Sequence, residues 1–224
     1  MRLNVYIDGF NLYYGAVKGT PFKWLNLHAV CRKLFPHDTI SRIRYFTAKV
    51  RPTAKDPAKL QRQETYVRAL QTIPNLSVHY GMFKAHARSR VVACSHCGAD
   101  YAKGLNCPHY NPAQRVQVLE CQEKGSDVNI ASYLLLDAFR GEYEGAGVIS
   151  NDSDLATPIA LVRQELNLDV GIVTPDRDRK HPCSELRSIA SFEKSIFAST
   201  LRSCQFPAVV YDASGRAIAK PQTW

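Results

Sequence analysis

Apolar and polar residues along this chain switch between two periods, and the switching predicts an alternation of strands and helices. The stretch "LNVYID" (3–8) predicts a strand, and "NLHAVCRKLF" (26–35) a helix that Asn26 can cap. "ISRIRYFTAKV" (40–50) alternates on one face as a strand does. "PAKLQRQETYVRALQTI" (57–73) predicts a long helix with Pro57 in its first turn. "LSVHYGMF" (76–83) predicts a third strand and "RVQVLEC" (115–121) a short one. After these come a helix in "SDVNIASYLLLDAF" (126–139) and a fully buried strand in "AGVIS" (146–150). "DLATPIALVRQEL" (154–166) predicts a helix, and "LDVGIVTP" (168–175) the last core strand. Strands separated by helices of this length require right-handed crossovers. The expected fold class is therefore α/β, with a mainly parallel central sheet flanked by helices.

A chain of 224 residues, 45% hydrophobic and 22% charged, suffices for one sizeable core and is short for two full domains. The expected organisation is one domain over residues 1–200 with a Cys-rich insertion at 93–112, followed by an extended arm or hairpin over 201–224. No apolar run approaches the roughly 18 residues of a membrane span, and the N-terminus lacks a signal-peptide core. Seven cysteines, an odd number, then suggest reduced thiols in a cytoplasmic protein.

Charge is unevenly divided. Residues 1–90 carry 16 Lys/Arg against 4 Asp/Glu, and residues 91–224 carry 13 against 16. A positive surface of this kind attracts polyanions, of which nucleic acid is the commonest, although basic surfaces also serve mere solubility. Tyr13, Tyr14, Phe46 and Tyr80 fall near Lys49, Arg51 and Lys84, where aromatic rings either stack on unpaired bases or pack in the core.

The acidic residues point to chemistry. In open α/β sheets the working site lies beyond the carboxyl ends of the strands. Asp8 ends the first strand, Asp152 and Asp154 follow "AGVIS", and Asp127 opens the preceding helix. Each alone could serve as a turn or helix-start residue. Together they repel one another unless a cation neutralises them, and oxygen-only ligands suit Mg²⁺ or Mn²⁺.

Three segments, "VYIDGFNLYYG" (5–15), "EKGSDVNIASYLLLDAFRGEY" (123–143) and "VISNDSDLATPIALVRQELNLDVGIVTP" (148–175), resemble in order and spacing the signature blocks of the NYN family of PIN-like nucleases. The resemblance implies a PIN-like sandwich, an acidic pocket for divalent metal and hydrolysis of RNA phosphodiester bonds. It assigns the metal-binding acids to Asp8, Asp127, Asp152 and Asp154, places Asn11 as their support, and sets Ser153 between the last two. Lys124 is a candidate phosphate contact, or simply a solvated lysine. No motif fixes Glu64, which lies in the middle helix. RNA rather than DNA rests on the family analogy alone. The alternative is a nucleic-acid-binding regulatory module with this fold and little turnover. A haloacid-dehalogenase-type phosphatase is disfavoured, because Phe10 occupies the place of its second aspartate.

"ACSHCGADYAKGLNCPHYNP" (93–112) carries a separate candidate. Cys94, Cys97, Cys107 and His109 could hold a structural Zn²⁺, with His96 or Cys121 as replacements for His109; unligated thiols in a loop are the other reading. Cys31, Cys183 and Cys204 look isolated. "VVYDASGRAI" near the C-terminus reads as a hairpin around an Asp-x-x-Gly turn. Homo-oligomer formation is left open by the sequence.

Overall fold

A computed structural model describes residues 1–94, 96, 108–109, 115–175 and 183–224 of the chain. It divides into two units: Met1–Met82 with Lys124–Trp224, and Phe83–Glu123.

The larger unit is built on a six-stranded, all-parallel sheet. Its strands are β1 (Arg2–Asp8), β2 (Thr39–Thr47), β3 (Leu76–Tyr80), β6 (Gly145–Ile149), β7 (Asp169–Thr174) and β8 (Phe192–Ser195), in the order β3-β2-β1-β6-β7-β8. This is a doubly wound order, and it reverses between β1 and β6. β1 is central and buried on both faces. Leu3, Val5 and Ile7 point into one core, while Tyr6 points into the other. Each such apolar side chain contributes about 1.5–3 kcal/mol by leaving water.

Helices cover both faces. The first core packs α2 (Leu27–Leu34) and α3 (Lys59–Leu70) on the sheet through Val30, Leu34, Ala69 and Leu70. The second packs α4 (Ser126–Phe139) and α5 (Ala156–Leu166) through Ile130, Leu134, Ile159 and Val162. Asn26 does cap α2, its side chain accepting from the Ala29 N–H at 3.1 Å. Among the described residues no helix is long and apolar enough to cross a membrane.

Three sequence expectations need correction. The strand expected over 76–83 breaks at Gly81, whose N–H bonds to Thr47 O at 2.8 Å; β3 ends at Tyr80 and a new strand, β4 (Met82–Val91), starts. The strand expected over 115–121 runs on as β5 (Arg115–Lys124), which pairs with β4 in a two-stranded sheet of its own instead of joining the central one. Finally, 168–175 is not the last sheet strand, because β8 adds in parallel beyond it. The short helices α6 (Ser184–Ile189) and α7 (Ala198–Ser203) flank β8. At the C-terminus β9 (Val209–Tyr211) and β10 (Ala217–Ala219) pair antiparallel, and Val210 and Ile218 enter the first core.

Candidate metal centre

The site forms where the strand order reverses. β1 ends in Asp8, and the chain turns at once into the short helix α1 (Gly9–Leu12), continued by a π-helical turn (Tyr13–Val17). Asp8 caps α1. Its Oδ1 accepts from the N–H groups of Phe10 (3.0 Å) and Asn11 (2.9 Å), and its Oδ2 from Asn11 Nδ2 (2.9 Å). The sharp entry requires glycine: a Cβ on Gly9 would lie 2.6 Å from Tyr45 Oη, and one on Gly15 would lie 2.0 Å from Pro175 O.

Directly after the neighbouring strand β6, Ser150 Oγ donates to Asp8 Oδ2 at 3.2 Å and accepts from the Asp152 N–H at 3.2 Å. The Asn151 N–H bonds back to Asn11 Oδ1 (3.3 Å), while Asn151 Oδ1 accepts from the Cys183 N–H (2.7 Å). Asp152 in turn caps a 3₁₀ turn (Ser153–Leu155), accepting from the Asp154 N–H at 3.0 Å. Asp8, Asn11, Ser150, Asn151 and Asp152 thus form one continuous polar chain. Sequence reasoning gave neither Ser150 nor Asn151 a role; Asn151 opens the N-D-S-D run, whereas the only signal for Ser150 is its position directly after the apolar run of β6.

Asp8 is only 3% exposed. Burial raises its carboxyl above the usual range, and the donors from Asn11, Ser150 and Phe10 offset this only in part. Among the described residues no Lys, Arg or His nitrogen lies within salt-bridge distance of it.

The other candidates sit at the same sheet edge at different depths. Asp152 is half-buried and Asp154 and Ser153 are exposed, while Asp127 is half-buried in the first turn of α4, which packs against β1 and the 3₁₀ turn. Among the described residues no three Asp, Glu, His or Cys side chains converge closely enough to hold a metal ion. The donors are nonetheless all oxygen, and a buried carboxylate lacking a protein countercharge suits a hard divalent ion. Mg²⁺ commonly takes one or two carboxylates and completes its shell with water and substrate oxygens.

Elsewhere the expectations separate. Phe46 is wholly buried and packs in the second core, so it offers no face to a base; Tyr14 and Tyr80 are exposed. Glu64 accepts from Lys49 at 3.2 Å on the surface, and Lys124 is exposed. Cys31 and Cys204 are buried in the first core, where burial pushes the Cys31 thiol up. In the smaller unit Cys94 Sγ accepts from the His96 N–H at 3.4 Å, and the rings of His96 and His109 stack 4.1 Å apart. Cys97, Cys107 and the Cys121 side chain lie outside the described residues.

The NYN domain family model matches residues 2–198, nearly the whole chain. The chain belongs to the NYN domain family. Its six-stranded parallel sheet between helices accords with the PIN-like, nuclease-like NYN fold. This NYN domain is 26% identical to 6-hydroxy-3-succinoylpyridine 3-monooxygenase from Pseudomonas putida, in an alignment spanning all of this chain and 75% of that protein. A crystal structure of a protein of unknown function from Vibrio parahaemolyticus matches it with a TM-score of 0.46 and 13% identity, covering 87% of this chain and 92% of that one.

Proposed function

We propose that this NYN domain is a metal-dependent ribonuclease that hydrolyses phosphodiester bonds. The observation that carries the reading is Asp8: a buried carboxylate that, among the described residues, is held by neutral donors alone, at the switch point of a doubly wound sheet, and tied through Ser150 to Asp152. Asp8 and Asp152 would hold Mg²⁺ or Mn²⁺, with Asp127 and Asp154 beside them. Such an ion supplies Lewis-acid stabilisation of phosphate oxygens and a more acidic water. The chain's own part is orientation. Asn11 and Ser150 fix the Asp8 carboxylate before substrate arrives, and the 3₁₀ turn does the same for Asp152, so little reorganisation remains for the reaction. The basic first half of the sequence supplies attraction for a polyanionic backbone.

The test is incubation with labelled single-stranded RNA, structured RNA and DNA in Mg²⁺, Mn²⁺ or EDTA. RNA cleavage that needs the ion and falls by orders of magnitude in Asp152→Asn is the expected result. Unchanged ion-dependent cleavage by that variant would remove Asp152 from the centre. For the smaller unit the proposal is a structural Zn²⁺ on Cys94, Cys97, Cys107 and His109, supported by the approach of His96 to both Cys94 and His109. About one zinc per purified chain, lost in Cys94→Ser, is expected from metal analysis.

A second reading follows from the alignment of this whole chain with 75% of the Pseudomonas putida protein, which is named a monooxygenase. On that reading the chain oxidises a small aromatic compound. Oxygen uptake with 6-hydroxy-3-succinoylpyridine and an added two-electron donor such as NADH, with no RNA cleavage, would favour it.

A further inference from the structure

Beside the acidic centre lies a cavity of about 180 Å³, walled by the segment after Asp8, the end of β2, α3 and Trp224. Small-molecule sites usually span about 300–1,000 Å³, so this one has room to enclose a single ring system, whose substituents would remain at its rim. Its walls are aromatic. Tyr13, Tyr45, Tyr66 and Trp224 line it, with the Tyr66 and Trp224 rings 5.9 Å apart in edge contact. The Tyr66 hydroxyl is already committed to Leu25 O at 2.8 Å, which leaves the ring as its contribution to the cavity.

One part of the wall is charged. Lys23, Lys59, Arg62 and Asp56 all border the cavity. The Arg62 guanidinium hydrogen-bonds Asp56, and with Lys59 and Lys23 it holds the Asp56 carboxyl below its ordinary range. One acid therefore faces three cations, and among the described residues Lys23 and Lys59 have no acidic partner within salt-bridge distance. Two half-buried lysines left over at the rim of an aromatic slot are a mismatch that packing does not require. An anion attached to a ring would resolve it.

We infer that this cavity binds one planar aromatic ring bearing an anionic group, the ring among Tyr13, Tyr45, Tyr66 and Trp224 and the anion on Lys23 and Lys59. The cavity adjoins the acidic centre, since Gly9 and Phe10 of its wall follow Asp8 directly and the Tyr45 hydroxyl of the wall lies against Gly9. Resting on the nuclease reading, the occupant is the base and phosphate of a nucleotide next to the bond that is cut. The same chemistry could instead come from a free aromatic acid. Binding itself needs neither metal nor turnover.

Tryptophan fluorescence of the full chain in EDTA reads the site, because Trp224 forms its wall and Trp24, the other tryptophan, lies 6.3 Å from that ring. Uridine and adenosine 5′-monophosphates, nicotinate and inorganic phosphate are titrated separately. Saturable quenching by the nucleotides, with affinity about tenfold or more lower in Lys23→Gln/Lys59→Gln of unchanged circular dichroism, supports the inference with a nucleotide as source. The same pattern with nicotinate and not the nucleotides supports the pocket and assigns it to a free acid. Three results would overturn the inference: no quenching by any ring compound, affinities unchanged in the double variant, or inorganic phosphate competing as well as the nucleotides. RNA that is not cleaved while nucleotides still bind would remove the nuclease reading and leave the pocket standing.

Discussion

Among the described residues two aspartates lie almost wholly out of water, and they are treated in opposite ways. Asp137, on α4, is 0% exposed and is met by charge. The Arg44 guanidinium forks onto it, Nε to Oδ2 and Nη2 to Oδ1, both at 2.7 Å, and Tyr6 Oη donates to Oδ2 at 2.7 Å. Arg44 also lies 4.3 Å from the centre of the Tyr133 ring, which closes the network against solvent. Asp8, 3% exposed, receives four hydrogen bonds from neutral groups and, among the described residues, meets no cation. A buried carboxylate paired with arginine is complete and serves the fold, clamping α4 to β1 and β2. One stabilised by dipoles alone keeps an unmet demand for positive charge, and it sits where the sheet leaves a crevice. On the proposed nuclease reading, the difference separates a structural ion pair from a carboxylate that would take an external cation.

The largest effect should come from breaking the complete pair. Asp137→Ala strands Arg44, 10% exposed, beneath α4, and removing one partner of a buried pair costs about 3–5 kcal/mol, a large share of typical domain stability. Urea unfolding should show the loss, together with weaker RNA cleavage if the proposed function holds, since α4 also carries Asp127. A change below about 1 kcal/mol would mean that the network is not the clamp described.

At the Asp8 end the same experiment should affect function more than folding. Asn11→Ala removes the Nδ2 donor to Asp8 and the acceptor for the Asn151 N–H. By analogy with residues that orient metal ligands, activity should drop about 10–100-fold, with a stability change of about 1 kcal/mol. If stability falls by as much as in Asp137→Ala, the two regions are not distinct in kind.

The smallest effect concerns His79, which stacks on Phe46 (5.0 Å) and accepts from Arg44 at 3.3 Å. Burial, and then the Arg44 charge, lower its pKa. The unfolded chain binds that proton near pH 6.5 and the folded chain does so only at lower pH. Stability should therefore decline as pH falls through 6.5 and level off below the depressed folded value. His79→Phe should flatten this slope between pH 7 and 5 in urea titrations, and an unaltered slope would place the titrating group elsewhere.

How much of this the sequence announced depended on how local the signal was. α4 was readable to its boundaries because Ser126 and Asp127 suit a helix start and no Gly or Pro interrupts the run to Phe139. β8, "FEKS", was not: four residues at a sheet edge carry no alternating core pattern. The acids of "D-G-x-N" and "N-D-S-D" stood out because each motif packs several site residues into a few positions. Ser150, the bridge between Asp8 and Asp152, is an ordinary small residue until the strands are laid side by side. The Arg44–Asp137 pair spans 93 positions, and the aromatic cavity unites residues near the N-terminus with Trp224. Such pairings are created by topology and have no local signature.

The central claim is that Asp8 binds an external cation. Calorimetric titration of Mn²⁺ into the metal-free chain and into Asp8→Asn, each confirmed folded by circular dichroism, tests it most directly. The account predicts saturable binding by the native chain, and affinity weakened by about two orders of magnitude or more in the variant. Equal Mn²⁺ affinity in the two proteins would contradict it.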